Sequence, residues 1–406
     1  MEYGIGGSTA SDELAKLQDM CADLQGINQQ EYQQRIARAQ AIMQAQNIAA
    51  VYLNAGTNLA YFTGTHWYPS ERMVGALLPA EGEIVYIAPH FELDTLKQYM
   101  AIDGKVHTWH EHINPYQVFL DALSFLNIDH GSIGIDEATP FFIANGIAQL
   151  TVQYTWVDAK AVTAGCRMQK SLNEIAIMQR AKDITLIVQQ AAARILYPGI
   201  PVTEVEQFID AAHRRLGASQ GSYFCIVLFG TDTAFPHGVA KPKTLDVNDM
   251  VLIDTGCELF GYHSDITRSY VFGTPNERQR QVWEHEKQAQ LIAFAAAKPN
   301  QPCADVDSAA RSYLASVGYG PEYQLPGLPH RTGHGIGLDI HEWPYLVGND
   351  TTPLAEGMCF SNEPMLCIPG EFGIRLEDHF YMTKTGPKWF TEPSHSIDNP
   401  FGYGVE

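Results

Sequence analysis

Asp254 and Asp265 stand on the two arms of VLIDTGCELFGYHSDITRSYVFG, residues 251–273. The first arm, Met250 to Ile253, is an apolar run. The second returns as Ile266 to Val271, so the stretch reads as a β-hairpin. A turn centred between Leu259 and Phe260 would set the two aspartates directly opposite each other. Opposed side chains lie about 5 Å apart at Cβ, where like charges repel. A divalent cation between the carboxylates removes that objection. Further candidate ligands follow: His334 in RTGHGIG, Glu363 in SNEP and Glu377 in GIRLED. Singly, each has a plain explanation. A lone histidine is more often a packed structural residue, aspartate is common in turns, and Glu-Pro is an ordinary strand exit. The joint set carries the weight. Four carboxylates and one imidazole bear a formal charge of −4, which two divalent ions neutralise. Without them, anions about 4–6 Å apart raise one another's pKa values. Oxygen-rich ligation with one imidazole and no thiolate suits manganese and accommodates cobalt, zinc or iron.

The elements that must position these groups follow from pattern. Residues 1–29 form a lead-in. From 30 to 160, short strands and helices alternate as in an α/β domain. Helices are expected near 30–46, 91–100, 115–125 and 141–150. Strands are expected at 49–53, 73–78, 84–88, 133–136 and 152–157. The polar, aromatic segment 64–72, with Trp67, Tyr68 and Arg72, breaks this pattern as a loop. From 161 to 406 the chain reads as α+β. Ser171 to Glu174 is a capping box opening a helix to about 196, and Thr203 to Glu206 reads as another. Thr274 is expected as an N-cap with Pro275 at the first helical position. The two helix pairs, 171–216 and 275–317, each precede a strand-rich stretch, which suggests an internal duplication.

The 406 residues suffice for two domains, each with a core that needs no disulfide. A net charge of −20 argues against nucleic-acid or anionic-membrane partners. Seven scattered cysteines without a CxxC spacing read as free thiols of a reducing compartment. The N-terminus lacks a basic and an apolar region of signal-peptide type, and no apolar run reaches spanning length. A cytoplasmic protein is expected.

The motifs IDTG, SDITR, GHGIG, NEP and GIRLED resemble those of the pita-bread metallopeptidases, the family of methionine aminopeptidase, aminopeptidase P and prolidase. The resemblance spans essentially the whole chain. Residues 160–390 are similar to the catalytic domain, and 30–158 to the N-terminal domain of the prolidase, aminopeptidase P and creatinase branch. One departure is Met365 after Glu-Pro, where relatives usually have glycine. Creatinase lacks the metal set, whereas here all five positions are filled. The resemblance implies hydrolysis of the Xaa-Pro bond by a hydroxide activated between two metals, manganese being the expected ion. Asp254 would chelate, Asp265 and Glu377 would bridge, and His334 would cap the second metal. Glu363 would bind metal and move the proton to the leaving nitrogen. His237, His330 and His341 would line the substrate pocket. Tyr223 would back Asp254 or Glu377 through its hydroxyl. Arg375, two residues before Glu377, would share its strand face and orient the carboxylates.

The N-terminal domain points to the Xaa-Pro branch. Its members cut Xaa-Pro dipeptides (prolidase) or the first residue of longer peptides (aminopeptidase P). A dipeptidase needs a cation for the free carboxylate of proline. No Lys or Arg lies between Thr332 and Ile374, so Arg72, beside Trp67, is the expected clamp, acting across a subunit interface. A dipeptidase is the reading preferred. An aminopeptidase is the alternative, followed by a metal-dependent lyase or a non-catalytic binding protein on the same scaffold. The resemblance also implies a homodimer or homotetramer.

Overall fold

A computed structural model describes residues 4–403. It divides into two compact units, one of residues 27–167 and one combining the chain up to Gly26 with residues 168 onward. The fold is α+β throughout.

In the smaller unit, six strands form one sheet: β1 (Ile48–Asn54), β2 (Gly75–Pro79), β3 (Val85–Pro89), β4 (Lys105–Trp109), β5 (Gly131–Ile135) and β6 (Tyr154–Asp158). Their order is β4-β3-β2-β1-β5-β6. The β1–β2 and β2–β3 pairs are antiparallel, while β3–β4, β1–β5 and β5–β6 are parallel. Val118, Phe119, Ala122 and Leu123 of helix Pro115–Phe125 repeat at helical spacing and bury against Tyr52, Leu77 and Ile87 of the sheet. Three elements escape the sequence pattern, one of them the helix Lys160–Arg167 at the expected domain boundary. Strand β4 is only half-buried, and helix Thr57–Thr63 is too short for a readable period.

The larger unit holds eleven strands among the described residues: β7 (Ser222–Phe229), β8 (Met250–Leu259), β9 (Tyr262–His263), β10 (Ile266–Val271), β11 (Gly333–Gly335), β12 (Glu342–Leu346), β13 (Cys359–Asn362), β14 (Met365–Ile368), β15 (Phe372–Arg375), β16 (Asp378–Thr383) and β17 (Gly386–Trp389). One sheet runs β10-β8-β7, with β9 paired to β8, and a second runs β12-β11-β13-β16-β17. Each follows a helix pair in the chain. Helices Leu172–Arg194 and Val202–Arg215 precede the first, and Glu277–Ala296 and Cys303–Ser316 the second. Ser171 caps its helix through a reciprocal box with Glu174, a contribution of about 1 kcal/mol. The other two expected starts shift. Pro201, with no side-chain bond, precedes the helix at Val202, so Thr203 and Glu206 lie inside it. Asn276, not Thr274, is the cap of the third helix, and its box closes on Gln279.

The hairpin turn falls one position later than expected. Leu259 pairs with Tyr262, and Phe260 and Gly261 both take positive φ, 50° and 84°, as a type I′ turn demands. Asp254 is therefore opposite Thr267, not Asp265. Because side chains alternate with period two, this shift keeps Asp265 on Asp254's face as its diagonal neighbour. Ser264 and Asp265 leave the ladder between β9 and β10. The Ser264 carbonyl crosses so close to Gly256 that a Cβ there would lie 1.7 Å from its oxygen.

Candidate metal centre

Asp254 follows Met250 and Leu252 along one face of β8, and the core beneath that face includes Trp283, Ile374 and Leu376. His334 is the middle residue of β11, Glu363 follows β13, and Glu377 lies between β15 and β16. Packed hydrophobic sheets thus deliver five polar side chains to one place. Asp254, Asp265, His334 and Glu377 are all buried.

The donor atoms overlap in three triads: Asp265, His334 and His341; His334, Glu363 and Glu377; Asp265, Glu377 and His379. Within each, the ligand atoms lie within 4.8 Å of one another. Asp254 is held from one side by Arg375, and its charge helps to raise Asp265. Three oxygens, Asp254 Oδ1, Asp265 Oδ1 and Glu377 Oε1, are buried without a hydrogen-bond partner among the described residues.

His334 shows why this centre fits a cation. Its Nδ1 lies 3.0 Å from the Gly335 carbonyl, which can only accept, so the proton sits on Nδ1. Nε2 then faces Glu363 Oε1 at 3.0 Å and Asp265 Oδ2 at 3.9 Å. A carboxylate oxygen that close is held by positive charge, either a proton on Nε2 that bonds to Glu363 or a cation that both groups ligate. The donor set, carboxylate oxygens plus one imidazole, fits divalent metal.

The titrations point the same way. Burial pushes Asp265 well above the usual carboxylate range, and the charges of Glu377, Asp254 and Glu363 add to it. Burial likewise raises Glu377, helped by Glu363 and Asp254 against the pull of Arg375. Burial also opposes ionisation of Glu363, but the hydrogen bond from His334 and the fields of His334, His330 and Arg375 overcome it and hold that carboxyl below its ordinary value.

The three pocket histidines lie beside this cluster. His330 donates from Nδ1 to the Arg331 carbonyl at 2.7 Å, and its buried Nε2 has no partner among the described residues. Burial lowers its pKa against the raising field of Glu363. The His341 ring meets that of His334 edge-on at 4.1 Å. Its crowded setting and the nearby His334 and Arg331 push it down to about 4. His237 is exposed beyond the turn Gly230–Ala234, near enough to help lower the pKa of both His330 and His341.

Arg375 meets one of the carboxylates directly, as expected of a residue that orients them. Its guanidinium bonds to Asp254, to Thr267 Oγ1 through Nε at 3.0 Å, and to the Pro236 carbonyl at 3.3 Å. It reaches Glu377 only through Thr267, whose hydroxyl donates to Glu377 Oε2 at 2.7 Å. Thr267 and Ser361, which donates to Glu363 Oε1 at 3.1 Å, were not signalled by the metal-ligand pattern. Thr267 was within reach, since it stands two residues after Asp265 and so on the same strand face. Buried His379 bears the same relation to Glu377, across a distance of 3.6 Å.

Tyr223 is placed otherwise than expected, and Arg72 and Trp67 have neighbours on their own unit. Tyr223 falls in a bulge between Ser222 and Phe224, which removes it from the alternation of β7. It is 53% exposed, packs its ring on His263 at 4.2 Å, and makes no hydrogen bond to either carboxylate. Arg72 is occupied within the smaller unit by Glu111, at 3.1 and 3.2 Å, and by Glu71 at 2.5 Å. Trp67 is half-buried in the same unit, its ring edge-on to Tyr99 at 6.1 Å.

Two helix-backed sheets closing on a carboxylate cluster with one imidazole define a pita-bread metal-dependent enzyme. The chain belongs to metallopeptidase family M24, whose model matches residues 176–384, and the creatinase/prolidase N-terminal domain matches residues 35–169. It is similar to the Xaa-Pro dipeptidase of Pyrococcus horikoshii, at 30% identity over 366 residues, 90% of this chain and 98% of that protein. Dipeptidase PepE from Mycobacterium ulcerans superposes with a TM-score of 0.84 at 31% identity, covering 92% of this chain and 99% of that one. Prolidase from Pyrococcus furiosus gives 0.74 at 30% identity, covering 87% and 99%. The chain is therefore a metal-dependent peptidase. None of its described helices is long and apolar enough to cross a membrane.

Proposed function

We propose that this peptidase is an Xaa-Pro dipeptidase working with two divalent cations, manganese foremost. The observation that carries the reading is the set of three partnerless carboxylate oxygens, on Asp254, Asp265 and Glu377, gathered beside the His334–Glu363 pair. Similarity to an Xaa-Pro dipeptidase and a prolidase over nearly their whole length supports the substrate class.

Asp254, Asp265, His334, Glu363 and Glu377 hold the cations. When bound, these supply the positive charge that eases deprotonation of water and polarises the scissile carbonyl. Glu363 takes the proton of the attacking water and delivers it to the proline nitrogen as the C–N bond breaks. His330 offers its free Nε2 lone pair to the substrate. His341 and His237, exposed beside it, orient the carbonyl and the tetrahedral intermediate.

Arg72 pairs with two glutamates of its own unit, and we assign the proline carboxylate to a cation next to the pocket histidines instead. Arg331 fits this role. It adjoins His330, its guanidinium lies 4.3 Å over the Tyr345 ring, and it forms no ion pair among the described residues. Hydrolysis of Ala-Pro and Ala-Pro-Ala by the manganese-loaded protein tests the subclass. Faster turnover of Ala-Pro is expected, and a dominant rate on the tripeptide would make it an aminopeptidase instead.

A further inference from the structure

His379 is wholly buried on β16, opposite Ser361 of β13. Neither ring nitrogen has a hydrogen-bond partner among the described residues. A neutral imidazole carries one N–H and one lone pair, and burying either unpaired costs about 1–3 kcal/mol. A leucine would fill the space without that cost. An imidazole here needs a partner, and one faces it. His379 Nε2 lies 3.6 Å from Glu377 Oε1, itself buried and partnerless. The other oxygen, Oε2, already accepts from Thr267 at 2.7 Å. A carboxylate oxygen repels a lone pair and attracts an N–H, so the tautomer with its proton on Nε2 is favoured.

We propose that His379 is a positioning residue for Glu377. Its Nε2–H closes on Oε1 while the Thr267 hydroxyl holds Oε2. One donor from β16 and one from β10 thereby fix both oxygens of the carboxylate, each with a lone pair left for a cation. Two opposed clamps stop the carboxylate from rotating about its terminal bond, and so set the direction in which both oxygens face the centre. Nothing in GIRLEDH marks the histidine as functional except its spacing, two residues beyond Glu377 and hence on the same side of an extended chain.

The proposal rests on the metal-centre reading, and its test separates the two. Cobalt binding is measured by calorimetry on wild type, His379→Leu and His379→Gln. Outer partners of metal ligands are worth about 10- to 100-fold in affinity. His379→Leu is expected to lose that much with an unchanged circular dichroism spectrum. His379→Gln, which keeps an amide donor, is expected to recover most of it. Equal affinity in wild type and His379→Leu would overturn the positioning role. Failure of wild type to bind cobalt would instead overturn the metal centre. Should the leucine variant not fold, wild type still decides. Long-range nitrogen–proton NMR of the histidine rings is expected to find the His379 proton on Nε2. A proton on Nδ1 instead would turn the Nε2 lone pair toward the centre, make His379 a ligand and refute the proposal.

Discussion

The hydroxyl of Thr267 donates to Glu377 Oε2 at 2.7 Å while its backbone pairs across the sheet with Asp254. One residue thus ties the hairpin to the carboxylate between β15 and β16. Thr267→Val preserves shape and removes the bond, leaving Glu377 Oε2 and Arg375 Nε without this partner. Manganese affinity is expected to fall about 10-fold, and Thr267→Ser to restore it, both read by calorimetry. Equal affinity in the valine variant would show the bond to be incidental.

Gly256 sets the spacing of the two aspartates. An added Cβ would meet the Ser264 carbonyl oxygen at 1.7 Å, and backbone cannot rotate away as a side chain can. Gly256→Ala is expected to push the strands apart, costing more than the usual ~1–3 kcal/mol of overpacking. It should also weaken metal binding. A denaturant midpoint and metal affinity both like wild type would contradict this account of the hairpin.

The hairpin also shows how far the sequence could be read. Residue types and the period of two placed Asp254 and Asp265 on one face. The exact partner depended on the positive φ at Phe260, a residue with no special liking for that conformation. The five-residue constellation was visible because four members sit in short glycine- or proline-marked motifs and Asp265 stands on the return arm of the hairpin from Asp254. Tyr223 was misplaced because a one-residue bulge reverses strand alternation and leaves no mark in composition. The ion pair of Arg72 with Glu111 was not legible because the two residues are distant in sequence. Thr267 and His379 lay in plain spacing beside the ligands, but their roles depend on which oxygens remain unpaired in three dimensions.

Arg331 is expected to recognise the proline carboxylate. A lost charge-assisted hydrogen bond corresponds to about 10- to 100-fold in affinity. Arg331→Ala should raise KM for Ala-Pro by that factor and change KM for Ala-Pro-Ala less, because the tripeptide's carboxylate lies one residue further on. Equal changes for both substrates would remove Arg331 from the clamp role.

His213 gives the fold a defined acid sensitivity away from the metal centre. It is buried between Thr185 Oγ1, at 3.1 Å, and Ser222 Oγ, at 2.9 Å. Burial pushes its pKa from 6.5 down to about 3, against the raising field of Asp210. The unfolded chain therefore binds one more proton between these values. The stability this residue contributes is complete above 6.5 and declines as pH falls toward 3, at ~1.4 kcal/mol per pH unit. Between pH 7.5 and pH 5, wild type should lose about 2 kcal/mol more than His213→Gln in denaturant unfolding. Parallel losses in the two proteins would contradict a neutral buried imidazole.

The central claim is a two-cation Xaa-Pro dipeptidase. Its most direct test is the rate of Ala-Pro hydrolysis as manganese is titrated into chelator-stripped protein. The account predicts no turnover without metal and a rise that saturates at two equivalents per chain. Saturation at one equivalent, or no gain in rate with any divalent metal, would contradict it.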